Sequence, residues 1–211
     1  MSDSALEARP APPAPIRSSD AAWVTIPTRL SPERLHELSR DIEAMFRVNP
    51  YLYFKSWRQT GQDRCRVEFR NESNKQELAL DMQVRPGPDL GFAVEYAQGL
   101  KKRTVFTIEP AEGGSRLTIA DDYESVPDAE RERRAGEVDK SLLAWGEALR
   151  VYFLRFHRYG RVPGWRWYIR RLWIPMKPSA RRIVWLLWLI TVVEFAFFLF
   201  VLLIYVLEQN K

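Results

Sequence analysis

The sequence predicts an α+β chain in which an antiparallel sheet of about seven strands packs on a long C-terminal helix, followed by one transmembrane helix. Three observations carry this reading. Residues 183–207 form a 25-residue apolar run in which only Thr191 and Glu194 are conspicuously polar. Upstream, short stretches alternate apolar and polar side chains with a period of two, the signature of half-buried strands. After them Val138, Leu142, Trp145, Leu149, Tyr152, Phe153 and Phe156 recur at spacings of three and four, which places them on one helix face. The length of 211 residues fits one ordinary domain plus an appendage.

Taken in order, residues 1–20 are rich in Pro, Ala and Ser and contain no apolar core, so they predict a disordered arm and no signal peptide. Residues 23–26 read as a short strand. Ser31-Pro32-Glu33 then supplies an N-cap, a proline suited to the first helical turn and an early acid. Leu35, Leu38, Ile42, Met45 and Phe46 form one helical stripe that ends before Asn49-Pro50. Six strands are expected at residues 51–59, 64–71, 76–84, 91–96, 101–108 and 116–123, separated by turn residues that include Gly113-Gly114. Cys65, Val67 and Phe69 oppose Arg64, Arg66, Glu68 and Arg70, while Leu78, Leu80, Met82 and Val84 oppose Glu77, Ala79, Asp81 and Gln83. Such a sheet has one wet face and one covered face. The cover is a helix running from after Val126-Pro127 to about Tyr159, with charged first turns at residues 128–137 expected to project past the sheet.

Gly160, Pro163 and Gly164 end that helix, and Pro175 and Pro178 precede the apolar run. Between them Trp165, Tyr168, Ile169, Leu172 and Trp173 share a side, with Arg166, Arg170 and Arg171 elsewhere. This pattern fits an interfacial helix at the headgroup boundary or a linker packed on the domain. A 25-residue helix of about 37 Å is long enough for a hydrocarbon core of roughly 30 Å, and Trp185, Trp188 and Tyr205 lie toward its ends. The expected organisation is therefore an arm at 1–20, a domain at 21–159, a membrane-surface segment at 160–182, a span at 183–207 and a short tail at 208–211.

The net charge is +5, but residues 1–154 hold 22 basic and 25 acidic side chains. Arg155, Arg158, Arg161, Arg166, Arg170, Arg171, Lys177, Arg181 and Arg182 follow with no acid among them. A domain with that balance lacks the basic footprint of a nucleic-acid binder. The basic block suits anionic headgroups, and the positive-inside bias predicts a cytoplasmic domain with the last residues on the opposite side. One cysteine excludes an internal disulfide framework. With only two histidines besides, no metal centre is expected.

The element order, together with Asp41-Ile-Glu-Ala-Met-Phe-Arg-Val-Asn-Pro50 and the aromatic strand that starts at Tyr51-Leu-Tyr-Phe54, resembles the START-like superfamily. This superfamily, also called SRPBCC or helix-grip, includes polyketide cyclase/dehydrase-like and coenzyme Q-binding proteins. The resemblance covers residues 21–159 and implies an apolar cavity between the curved sheet and the long helix. It implies no cofactor beyond a bound quinone, polyprenoid or other lipid. A C-terminal anchor departs from the usual soluble member.

On that basis Phe69, Leu80, Met82, Phe92, Val94, Tyr96, Phe106, Ile108, Trp145, Leu149 and Tyr152 are candidates for the pocket lining. Each also suits plain core packing. No catalytic triad is visible around His36 or His157, and Cys65 reads as an inert buried thiol. Asp121, which shares strand parity with Leu117, Ile119 and Tyr123, is the one weak catalytic candidate, with Asp122 and Glu124 expected to be solvated. The membrane-surface candidates are Trp165, Arg166, Tyr168, Ile169, Arg170, Arg171, Leu172, Trp173, Lys177, Arg181 and Arg182.

Glu194 lies near the middle of the span, where a carboxylate is costly. Thr191, Phe198 and Val201 complete its face, which meets another transmembrane protein or a second copy; the alternative is a neutral glutamic acid facing lipid. Three functions follow: a membrane-anchored binder of a hydrophobic small molecule, an accessory or assembly subunit of a membrane complex, and an aromatase/cyclase-like enzyme.

Overall fold

A computed structural model describes residues 21–99, 101–122 and 141–209. The arm at 1–20, Tyr123, Glu124, the charged turns at 128–137, Val138 and the last two residues of the tail lie outside the described residues. In chain order the elements are β1 (Ala21–Thr28), α1 (Pro32–Ser39), α2 (Ile42–Arg47), β2 (Leu52–Gly61), β3 (Arg64–Asn71), β4 (Gln76–Pro86), β5 (Phe92–Tyr96), β6 (Arg103–Ala111), β7 (Gly114–Asp122), α3 (Leu142–Tyr159), α4 (Trp165–Tyr168), a π-helical turn (Ile169–Trp173) and α5 (Pro178–Gln209).

The seven strands form one antiparallel sheet in the order β1-β7-β6-β5-β4-β3-β2. The period-two pattern sets its faces. Along β3, Cys65, Val67, Phe69 and Asn71 are buried while the residues between them are exposed. Cys65, Val67 and Phe69 pair across to Met82, Leu80 and Leu78 of β4, which keeps one apolar face continuous. Thr104, Phe106 and Ile108 of β6 and Leu117 and Ile119 of β7 extend it.

Helices cover that face. Leu142, Trp145, Leu149, Tyr152, Phe153 and Phe156 are the buried stripe of α3, as the spacing predicts. Gly146 lets α3 approach β1 closely, because a Cβ there would sit 2.7 Å from Val24 Cγ2. Ser31 caps α1 by accepting from the Arg34 amide at 3.3 Å. The stripe from Leu35 to Phe46 is not one helix, however. It breaks at Arg40, and Asp41 starts α2 by accepting from the Ala44 amide at 3.2 Å. Asp side chains favour such caps over helix interiors, so the break follows from a residue that the apolar periodicity does not register.

Trp145 joins the two layers. Its Nε1–H donates to the Met45 carbonyl at 2.8 Å, and its ring lies 5.0 Å from Phe46 and 6.0 Å from Phe106. Replacing Trp145 with Phe keeps an aromatic ring but orphans a buried carbonyl. We expect the unfolding free energy of the full chain to fall by about 1–3 kcal/mol, read by urea denaturation in detergent.

Candidate functional site

Three clefts meet at Asp41 and Arg170. One of about 410 Å³ is lined by Glu37, Arg40, Asp41, Ile42 and Glu43 on the helices, by Trp57, Gln59, Arg64, Cys65 and Val84 on β2–β4, by Gln62 and Asp63 of the β2–β3 turn, and by Arg170. Cys65 and Val84 belong to the apolar face of the sheet, so this groove opens onto the concave side at the β2–β3 turn. A second, of about 600 Å³, lies between the first turn of α2 and residues 166–175. The third, of about 170 Å³, reaches Tyr152 and Phe156 of α3. Arg170 donates to Asp41 Oδ2 from Nε at 3.0 Å and from Nη2 at 2.6 Å, so one carboxylate both caps α2 and holds the stretch at 160–177 expected near the membrane, called the membrane-proximal segment. The Arg166 guanidinium lies 3.5 Å from Glu37.

All eleven pocket candidates are buried and belong to one apolar cluster. Phe92 stacks on Phe106 at 4.6 Å, and Trp145 meets Phe106 edge-on. Of the eleven, Tyr152 alone lines one of the three clefts. Burial pushes the Tyr152 hydroxyl well above the usual tyrosine range, with the Asp41 charge adding and the Arg170 and Arg166 charges opposing. Trp57, Asp41 and Arg40, which spacing did not single out, line the groove instead. The aromatic run after Asn49-Pro50 was the available signal for Trp57.

Asp121 points inward and is 1% exposed, beside Leu117 and Ile119. Its Oδ1 accepts from Thr104 Oγ1 at 2.6 Å, and Lys101 Nζ lies 3.1 Å away. With its one proton given to Asp121, Thr104 must accept from the Tyr96 hydroxyl at 2.8 Å. The expectation for Asp122 is corrected: it is 5% exposed and bound to Arg103 Nε at 2.6 Å, because β7 places it in register with Arg103 of β6. His36 Nδ1 donates to the Leu90 carbonyl at 2.6 Å, while His157 is exposed on α3. Among the described residues, no group of His, Cys, Asp and Glu is arranged to hold a metal ion.

The membrane-proximal segment turns its apolar side toward the domain. Ile169 is 2% exposed and Ile174 is buried, and Trp165, Tyr168 and Trp173 pack against the same core. Trp167 at 62% and Leu172 at 41% stay exposed. Gly164, at φ 78°, supplies the left-handed turn into this segment. Arg181, in the first turn of α5, donates to the carbonyls of Trp173, Arg47 and Ile174 at 2.9, 3.0 and 2.8 Å.

Helix α5 has 32 residues, about 48 Å, with a mean hydropathy of 2.7 over its most apolar window, none of which is buried. It is long and apolar enough to cross a membrane. Thr191, Glu194, Phe198 and Val201 all face outward, and Thr191 Oγ1 donates to the Leu187 carbonyl within the helix at 3.0 Å.

No family model matches the chain, nor does any curated protein. Solved structures do. The Zhui aromatase/cyclase from a Streptomyces species superposes with a TM-score of 0.52 at 12% identity, covering 67% of this chain and 97% of that one. A START superfamily protein from Mycobacterium smegmatis is 20% identical, covering 65% of this chain and 99% of that one, with a TM-score of 0.48. A polyketide-cyclase-like protein from Corynebacterium glutamicum is 16% identical over 68% and 96%, with a TM-score of 0.40. The chain has a START-like helix-grip fold with one long C-terminal apolar helix consistent with a membrane anchor.

Cys65 borders the groove and gives a direct probe of it. Burial pushes its thiol up to about 11, with the Glu43 and Asp81 charges adding. At pH 8 the native thiolate population is then about one hundredth of that in the unfolded chain. Alkylation of native protein by iodoacetamide should stay slow at pH 8 and accelerate toward pH 11, whereas denatured protein should react readily near pH 9.

Proposed function

We propose that the protein is a membrane-anchored START-like protein that binds a hydrophobic small molecule, a quinone, polyprenoid or other lipid, at the cytoplasmic membrane surface. In this reading residues 21–159 are the binding domain, 160–182 hold it to the surface and 183–207 cross the bilayer. The observation that carries it is the groove of about 410 Å³, whose lining runs from Arg170 in the membrane-proximal segment to Trp57, Cys65 and Val84 on the concave face of the sheet. A ligand leaving the bilayer would meet that groove without crossing bulk water. The run of nine basic residues without an acid supports placing the domain on the cytoplasmic side. Asp121, tied to Thr104 and Lys101, favours a structural role over that of a general base, which weakens the aromatase/cyclase reading.

Full-length protein purified in mild detergent should carry an apolar ligand that organic extraction and mass spectrometry identify. Added quinone or prenyl lipid should quench tryptophan fluorescence saturably, and Val84→Trp, which fills the groove, should reduce binding by about tenfold or more. No extractable ligand together with no saturable quenching would refute the reading.

Glu194 favours a second role as an accessory subunit. Its carboxylate sits midway along α5 with no partner among the described residues, and a span cannot enclose its own glutamate. Glu194→Leu should release a stoichiometric membrane partner, or dissociate a dimer, in mild-detergent size exclusion. An unchanged elution profile from wild-type monomer would remove this role.

A further inference from the structure

The nine basic side chains between Arg155 and Arg182 divide into two groups. Five are engaged inside the protein: Arg155 and Arg158 lie 5.7 and 5.5 Å from the ring centres of Trp173 and Tyr159, Arg166 and Arg170 pair with Glu37 and Asp41, and Arg181 holds three carbonyls. Among the described residues, Arg161, Arg171, Lys177 and Arg182 have no such partner. Of these four, Arg171 lines the cleft of about 600 Å³ between α2 and the membrane-proximal segment.

The two carboxylates in that cleft are already neutralised. Asp41 is held by Arg170 and by the Ala44 amide, and Glu43 accepts from Arg47 Nε at 2.7 Å. The Arg171 guanidinium therefore gives the cleft an unbalanced positive charge, in a planar fork matched to phosphate oxygens. One wall is Trp167, whose indole is mostly exposed, and another is Pro175, three residues before α5 begins. An indole prefers the level of the headgroups to open water. A free anion would leave that ring wet, whereas a lipid would cover it.

We propose that this cleft is a headgroup site for an anionic phospholipid of the bilayer that α5 enters, with Arg171 binding the phosphate and Trp167 packing on the glycerol and the first acyl carbons. The site adjoins the groove of the proposed function, with Asp41, Glu43 and Arg170 between them, and requires only that α5 cross a membrane.

Full-length protein in nanodiscs of phosphatidylcholine with a minority of phosphatidylglycerol, released for native mass spectrometry, tests this. One phosphatidylglycerol should be retained per chain in preference to phosphatidylcholine. Arg171→Gln should lower retention by about tenfold or more, the scale of a lost charge-assisted hydrogen bond. Arg182→Gln removes the same charge outside the cleft and should cost about fivefold at most, the contribution of one arginine to a diffuse surface attraction. Trp167→Ala should also lower retention and serves as the second variant if Arg171→Gln disturbs the near-ultraviolet circular dichroism. Equal losses for Arg171→Gln and Arg182→Gln, equal retention of the two lipids, or displacement of the lipid by inorganic phosphate alone would each overturn the proposal. An apolar ligand in the groove appears as a separate mass, so losing one ligand is distinguishable from losing the other.

Discussion

Helix α2 has six residues, too few to be stable by itself, and its last four carbonyls have no partners within it. Each finds one elsewhere. The Ala44 and Phe46 carbonyls accept from the amides of Val48 and Asn49, both at 3.1 Å. The Met45 carbonyl accepts from the Trp145 indole of α3, and the Arg47 carbonyl accepts from Arg181 of α5. One short helix end thus gathers the helix that covers the sheet and the long apolar helix α5. The partial negative charge of a helix C-terminus makes a guanidinium a favourable partner there.

The other end of α2 is held by the Asp41–Arg170 pair, but the two ends are unequal. The Arg170 side chain is largely exposed, and such pairs contribute at most about 1 kcal/mol. Arg181 is half-buried and donates to three carbonyls; that of Trp173 also accepts from the Met176 amide at 3.3 Å, so the guanidinium matters most at Arg47 and Ile174. The C-terminal contact therefore fixes how α5 leaves the domain, while the N-terminal contact closes a surface where three clefts meet.

These contacts explain which parts of the structure were legible in sequence. The alternation of Cys65, Val67 and Phe69 against Leu78, Leu80 and Met82 stated the covered face of the sheet outright, because strand parity translates directly into a side. The α3 stripe and the long apolar helix were equally direct. Parity failed at Asp122, whose burial comes from its neighbour Arg103 across the strand and not from its own place in the alternation. Periodicity also showed that Trp165, Tyr168, Ile169 and Trp173 share a side without saying whether lipid or protein covers it. The clefts were least visible, since Asp41, Trp57, Val84 and Arg170 come together only after the sheet, α2 and the membrane-proximal segment have packed.

The distribution of aromatic side chains explains why the groove sits where it does. Under α3 the concave face is occupied by Phe92, Phe106 and Trp145, packed ring to ring. Toward β2 and the β2–β3 turn the cover passes from α3 to the shorter α2, which packs on β2, and the groove reaches Trp57, Cys65 and Val84. Asp41, at the break between α1 and α2, lies on the rim of this groove, and the residue that reaches across to it is Arg170 of the membrane-proximal segment. In the proposed function this makes the segment that joins the domain to α5 a wall of the binding site, so that seating the domain against the bilayer and shaping the groove would be one structural event.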